Sequence, residues 1–335
     1  MRARIRERWI PVGFSRQSSR TMVQWIDCAS QTISEPFFRQ TVAKLRRLTC
    51  PAKTTALRQV LWEGKRVDLA YPACIIAHVS RCGSTLLTNA LREIGNCVAL
   101  SEPSIVTDIF EPSHCLADQP VLRRLFSHSV INIYSAYRGY RAAVVVKLAS
   151  WNTCVLHQIR AVWPSVPFVL LIRNPLEIIV SQLSPGGWLD LRAQSPGIMS
   201  LLNLNTSTLD NVHFCACLLR TLYSAMLHAI DDKCFILDYS MLNINTVAQI
   251  ASIAGLESTS GALESVDHTF RRYSKDVDGT KAFSDDVSSK LRTASRLIDA
   301  ATIEYVMAPY VQLLNAAKSN HMMRPTNCVS ARSNM

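Results

Sequence analysis

Hydrophobic positions along this chain fall into two kinds of pattern. The first sixty or so residues read as amphipathic helical material, with Phe37, Phe38, Val42 and Leu45 on one stripe. From about residue 73 the pattern changes to short apolar runs, each closed by a turn and followed by a segment of helical period. Ala73–Val79, Val98–Leu100, Ala143–Leu148 and Phe168–Ile172 are nearly continuous, which predicts strands buried on both faces of a parallel sheet. Leu86, Leu87, Ala90, Leu91 and Ile94 recur at i, i+3 and i+4 and predict a helix, which Gly95 would stop in the left-handed conformation. Val155, Ile159 and Val162 predict another, ending at Pro164. A long helix over Val212–Ile230, a strand at Cys234–Leu237 and a helix over Val247–Gly255 continue the series. The predicted fold class is therefore α/β, a parallel sheet flanked by helices with an N-terminal helical extension.

The predicted organisation is that extension over residues 1–60, one α/β domain over 61–318, and a disordered tail over 319–335. Ser184–Asn211, rich in Ser, Pro, Gly and Asn, is long for a connection and reads as a lid or substrate loop. Ser258–Asp286 reads as polar and irregular, and Val287–Leu314 as helical. Lys147 and Arg173 cut the richest apolar runs well short of the roughly 18 residues a membrane-spanning helix needs. The basic start, Met1–Arg8, leads into an apolar stretch, Trp9–Gly13, too short for a secretory signal. A cytoplasmic protein is expected, with a mitochondrial transit segment as the alternative.

Eleven cysteines, an odd number with no C-x-x-C pair, suggest neither a disulfide framework nor a zinc ribbon and fit a reducing compartment. The local cluster His213, Cys215 and Cys217 lies in a helical segment where residues two apart face different ways, so no metal is expected there. The formal charge of +11 would draw a polyanionic ligand, and nucleotides, sulfated glycans and nucleic acids all qualify. Without a Lys/Arg run interleaved with stacking aromatics, nucleic acid is disfavoured as a partner.

The strongest local signal is Ser80-Arg81-Cys82-Gly83-Ser84-Thr85, a polar loop joining the first strand to the helix that begins near Leu86. A helix start offers unpaired N–H groups and a positive dipole end, a setting that holds phosphate-like anions. A capped structural helix would use the same residues. The loop departs from G-x-x-x-x-G-K-[ST], because His78 stands at the first Gly and Ser84 at the Lys, which disfavours an ATP or GTP hydrolase. His78 itself reads as a strand histidine packed against the sheet.

A cation two residues before the glycine, here Arg81, followed by Ser84 and Thr85, resembles the 5′-phosphosulfate loop of the sulfotransferase superfamily. The segment Val169–Ser181 is similar to that family's 3′-phosphate segment, whose Arg and Ser correspond to Arg173 and Ser181, with Asn174 in place of the more usual Asp. Phe235–Leu242 resembles a segment whose Tyr lies near the adenine, which points to Tyr239. Asp267–Asp276 resembles a loop that closes over the nucleotide, from which Arg271, Arg272 or Lys275 would reach the 3′-phosphate; a solvated charged loop is the alternative.

The resemblance covers about residues 73–280 and implies a P-loop-type domain with 3′-phosphoadenosine 5′-phosphosulfate as donor and no metal. Ser80, Arg81, Cys82, Gly83, Ser84, Thr85, Leu86, Arg173, Ser181, Tyr239, Arg271 and Lys275 would hold the nucleotide. Cytosolic members carry Lys-Thr-His at a strand end, whereas this chain has Lys147-Leu148-Ala149, so Ala149 stands where the catalytic His would be. Other branches use a carboxylate base, and Glu102 after the second strand is the candidate, with Lys147 and Arg81 stabilising developing charge. Glu102 could instead pair with Arg81 or cap a helix, and His268 is a second candidate base. The implied activity is sulfuryl transfer to a hydroxyl or amine of an unidentified acceptor. The alternatives are an ATP-dependent phosphotransferase and a non-catalytic nucleotide-binding scaffold.

Overall fold

The computed structural model describes residues 8–17, 20–28, 31–65, 70–95, 97–111, 114–138, 141–184, 187–194, 209–257, 261–271 and 287–319. Its N-terminal region departs from the helical expectation. Trp9–Gln17 (β1), Arg20–Asp27 (β2) and Ala52–Ala56 (β3) form an antiparallel sheet in the order β1-β2-β3. Aromatic and β-branched residues with a period of two account for it: Val23 and Trp25 are buried while Gln24 between them is only half-buried. Helical period holds for Phe38–Arg47 (α1), which buries Phe38, Thr41 and Leu45, and for Leu57–Gly64 (α2).

The apolar runs downstream pair as expected. Pro72–His78 (β4), Cys97–Ser101 (β5), Ala143–Lys147 (β6), Phe168–Ile172 (β7) and Cys234–Asp238 (β8) form a five-stranded sheet in the order β5-β6-β4-β7-β8. Every pairing is parallel. All residues of β5 and of β7 are buried, so both faces are covered. From β4 the chain moves to β5 and β6 on one side and then to β7 and β8 on the other, which opens a crevice beyond the carboxyl end of β4. Lys147 lies across from Ile76 and from Ser101, and Leu171 across from His78. The residues that follow these four strands therefore leave the sheet at one edge.

Ser84–Ile94 (α3) follows β4, and Ser104–Phe110 (α4) and Pro120–Ala136 (α5) lie between β5 and β6. Neither α4 nor α5 was expected from periodicity. In α5 every residue from Phe126 to Ser135 is buried, so no polar face marks the helical period. Its buried Ser and Asn side chains find partners: Ser127 and Ser129 donate to Arg123 O and Leu125 O within the helix, and Asn132 donates to Gly64 O and accepts from Ala70 N outside it. Gly95 ends α3 in extended backbone (φ −148°) rather than the left-handed form; a Cβ there would lie 3.2 Å from Glu257 O, so close approach explains the glycine.

Beyond a 3₁₀ turn at Ser150–Val155 come Leu156–Val162 (α6) and, after β7, Pro175–Gln182 (α7). Trp188–Gln194 (α8) lies inside the expected lid loop, anchored by the buried Trp188; residues 195–208 fall outside the described residues. Asn211–His228 (α9) and Ile244–Ile253 (α10) match the long helix and the helix after β8. Ala262–Arg271 (α11) corrects the irregular reading of that stretch, with Ala262 and Val266 one turn apart on its buried face. The last helical segment is two helices, Val287–Leu297 (α12) and Ala300–Ser319 (α13). Between them Asp299 accepts from Thr302 N at 2.8 Å, a capping bond that fixes the break.

The N-terminal region, sheet and following loop, is fastened to the α/β unit by specific bonds. Tyr134 of α5 donates to Pro11 O at 2.5 Å, Arg92 of α3 to Ser34 O at 2.9 Å, and Phe14 N to Asp108 of α4 at 2.6 Å. Among the described residues no helix is long and apolar enough to cross a membrane.

Candidate functional site

Beyond β4 the backbone turns left-handed at Ser80 (φ 63°), Arg81 (49°) and Gly83 (81°). For the two non-glycine residues this costs on the order of 1–2 kcal/mol each, so the surroundings must impose it. His78 is one such constraint. Its Nδ1 accepts Ser80 N–H at 3.0 Å, and its Nε2 lies 2.9 Å from the Leu148 carbonyl, which can only accept. The ring is therefore neutral with the proton on Nε2, and its 3.7 Å approach to Glu102 is not an ion pair. Gly83 has a second reason to be glycine, because an added Cβ would sit 2.7 Å from the Tyr239 ring.

Cys82 is buried within the sheet edge, and desolvation pushes its thiol up to about 11. Any part it plays in binding comes from its backbone. Ser84, Thr85 and Leu86 are likewise buried at the start of α3, where the first N–H groups of a helix lack intrahelical partners.

Lys147, at the end of β6, has no solvent exposure. A buried ammonium needs partners, and it has an ion pair to Glu102 Oε1 at 2.8 Å and a hydrogen bond to Thr85 Oγ1 at 3.2 Å. The Phe37 ring, at the N-cap of α1, covers it at 4.8 Å. Glu102 is also held by its backbone, where φ is 57° and its N–H donates to Lys147 O at 2.8 Å. The carboxylate keeps about a quarter of its surface in solvent (24%), which leaves it reachable. The carboxylate pairs with Lys147, a partner the sequence did not suggest, and Pro103, not Glu102, is the N-cap of α4.

Arg173, just past β7, is buried. Its Nε donates to Glu177 Oε2 at 2.9 Å, its Nη2 to the same oxygen, and its Nη1 to Arg81 O at 3.0 Å. The guanidinium lies 4.2 Å from the Tyr239 ring, and Tyr223 donates to Arg173 O. Arg173 thereby joins the loop, the start of α7 and the turn after β8. Asn174 caps α7 by accepting from Leu176 N at 3.0 Å, and Pro175 occupies the first turn.

The sequence-predicted residues Ser80–Leu86, Glu102, Lys147, Arg173 and Tyr239 therefore meet at one sheet edge. Ser181 is half-buried in the second turn of α7. Arg271 is exposed at the end of α11 and paired with Asp267 at 2.6 Å, and His268 is exposed on the same helix. Lys275 and Arg272 lie outside the described residues. Two participants escaped sequence reasoning. Glu177 was legible as an i, i+4 partner of Arg173, whereas nothing local marks Phe37 as a cover for Lys147. Away from this edge, Asp108, Glu111 and His114 bring potential ligand atoms within 4.8 Å of one another. Asp108 already accepts from Phe14 N, and Glu111 lies 3.1 Å from His114 Nε2.

The class defined by this geometry is an α/β protein with a left-handed strand–loop–helix turn at the switch point of a parallel sheet. No family model matches the chain, and no curated protein matches it in sequence. Among solved structures it is similar to sulfotransferase STF9 from Mycobacterium avium, at 12% identity over 72% of this chain and 80% of that one, with a TM-score of 0.44. It is also similar to the sulfotransferase domain of the Synechococcus PCC 7002 olefin synthase, at 13% identity over 74% and 94%, TM-score 0.42. A third is a sulfotransferase from Alicyclobacillus acidocaldarius, at 12% identity over 75% and 97%, TM-score 0.40.

Proposed function

We propose that the chain transfers a sulfuryl group from 3′-phosphoadenosine 5′-phosphosulfate to a hydroxyl or amine. The observation that carries this reading is the meeting of a left-handed loop at a helix start, a buried lysine and a solvent-reachable carboxylate at one sheet edge. Arg81, Ser84, Thr85 and the loop amides would hold the 5′-phosphosulfate, and Arg173 with Ser181 the 3′-phosphate, beside Tyr239 and the adenine.

In the transfer the acceptor oxygen or nitrogen attacks sulfur and the bond from sulfur to the bridging oxygen breaks, releasing adenosine 3′,5′-bisphosphate. Glu102 takes the acceptor's proton. Lys147, tied to Thr85 of the loop, meets the negative charge that grows on the bridging oxygen, a placement that stabilises the transition state more than the ground state. As Glu102 is protonated its hold on Lys147 weakens at the moment that oxygen gains charge, which couples the two roles.

Calorimetry with adenosine 3′,5′-bisphosphate against AMP tests the donor. A charge-assisted bond to the 3′-phosphate should tighten binding by about tenfold or more. Equal affinities would refute this reading and favour an ATP phosphotransferase, which the Glu177 carboxylate against Arg173 also suits. Glu102→Gln should lose about a hundredfold or more in transfer while retaining the bisphosphate.

A further inference from the structure

Charge is unevenly spread along the chain. Residues 1–70 hold fourteen Lys and Arg against five Asp and Glu, a net +9 that leaves only +2 for the rest. Within that basic region α2 packs side by side with α5, and Gly64 lies so close to Ser129 that no Cβ would fit.

The outer stripe of α2 and its C-cap is Arg58, Trp62 and Lys65, spaced i, i+4 and i+7, all exposed. On α5 the first two turns expose Val121, Arg124 and Leu125. Leu125, Ser129 and Asn132 share one face of α5, and Ser129 and Asn132 both touch Gly64, so Leu125 sits at the edge of the seam. Tyr71 rests edge-on against His128, 5.1 Å between ring centroids, and is itself exposed.

Trp62 of α2, Val121 and Leu125 of α5, and Tyr71 just before β4 are each between 46% and 73% exposed, an unusual apolar load for one helix pair and its neighbour. Neither helix exposes a carboxylate. The 17 residues of α5 include none, and Glu63 of α2 is buried and accepts from Gln59.

From this we infer that the α2–α5 face is a docking surface for an anionic lipid bilayer. Cations beside Trp and Tyr, with aliphatic residues between them, match the interface: rings and alkyl groups sit at headgroup depth while Lys and Arg reach anionic headgroups. A nucleic acid would be served by the cations and rings but gains nothing from exposed Val121 and Leu125. With four apolar side chains and three cations as anchors, attachment is peripheral and reversible.

The test is co-sedimentation of the full chain with phosphatidylcholine vesicles, with and without phosphatidylserine, at low and high salt. Binding only to the anionic vesicles and falling with salt is expected. The double variant Arg58→Gln/Lys65→Gln should weaken it by about thirtyfold, at about a fivefold effect per cation. Trp62→Ser/Leu125→Ser should weaken it independently of charge, and both changes are at exposed positions, so the circular dichroism spectrum should be unaltered. Equal binding to the two vesicle types, or undiminished binding by either variant, overturns the inference. So does absence of vesicle binding, whether the protein instead dimerises until Leu125→Ser separates it or binds RNA with Trp62→Ser/Leu125→Ser unaffected.

Discussion

Glu102 and Lys147 are bonded to each other, yet losing one is not equivalent to losing the other. Removing Glu102 strands an ammonium with no access to water, which should cost about 3–5 kcal/mol. Removing Lys147 leaves a carboxylate that is already a quarter exposed and can rehydrate, so Lys147→Met should cost only about 1–2 kcal/mol. Urea unfolding of Glu102→Ala and Lys147→Met measures both, and equal losses would contradict the asymmetry in burial. Gly83→Ala carries a different penalty: a left-handed φ of 81° together with displacement of the Tyr239 ring. About 1–3 kcal/mol of stability should go, and with it the packing of Tyr239 on Arg173, so bisphosphate affinity should fall in calorimetry.

At the scale of elements, α4 is tied to β1 through the Asp108 carboxylate. Burial pushes that carboxyl up to about 6 from the 3.8 of an unfolded chain, although the bond from Phe14 N opposes the shift. The folded state therefore binds this proton more tightly than the unfolded chain does. Stability contributed by the protonated form is present at acid pH and is lost as pH rises from 3.8 to about 6. Asp108→Asn keeps an oxygen for Phe14 N and removes the charge, so it should stabilise at pH 7 by about 1–3 kcal/mol and flatten this window. Thermal unfolding at pH 5 and pH 7 reads both effects. On α7, Asn174→Ala removes the acceptor for Leu176 N and should cost about 1 kcal/mol in the same assay, with any additional loss of nucleotide binding reporting a shift of Arg173.

Elements whose apolar pattern is simple were legible in the sequence. Strand β7, buried on both faces, begins and ends where its apolar run does, and β4, β5, β6 and β8 lie within a residue or two of expectation. Helix α5 was not legible, because its buried Ser and Asn groups find partners in the fold that no local pattern announces. The N-terminal strands were missed for a related reason: the stripe of Phe38 and Leu45 in α1 was extended over residues whose period is two. At the candidate site, the loop and Arg173 were named from a resemblance carried by local sequence, and the fold sets them side by side, Arg173 Nη1 donating to Arg81 O. The Lys147–Glu102 pair could not be read, since it is made by two strands lying side by side and depends on register.

For the whole molecule, the N-terminal strands are made well before the helix that fastens them. Tyr134 bonds to Pro11, 123 residues earlier, so β1 and β2 leave the ribosome on the order of ten seconds before α5 exists to cover them. During that interval a basic hairpin stands with an uncovered face, a state that favours chaperone capture and aggregation. A fragment of residues 1–70 should accordingly show no cooperative thermal transition by circular dichroism, and a sharp one would mean that the sheet folds unaided. Slowing translation near residue 70 should lengthen that wait and lower the yield of folded protein.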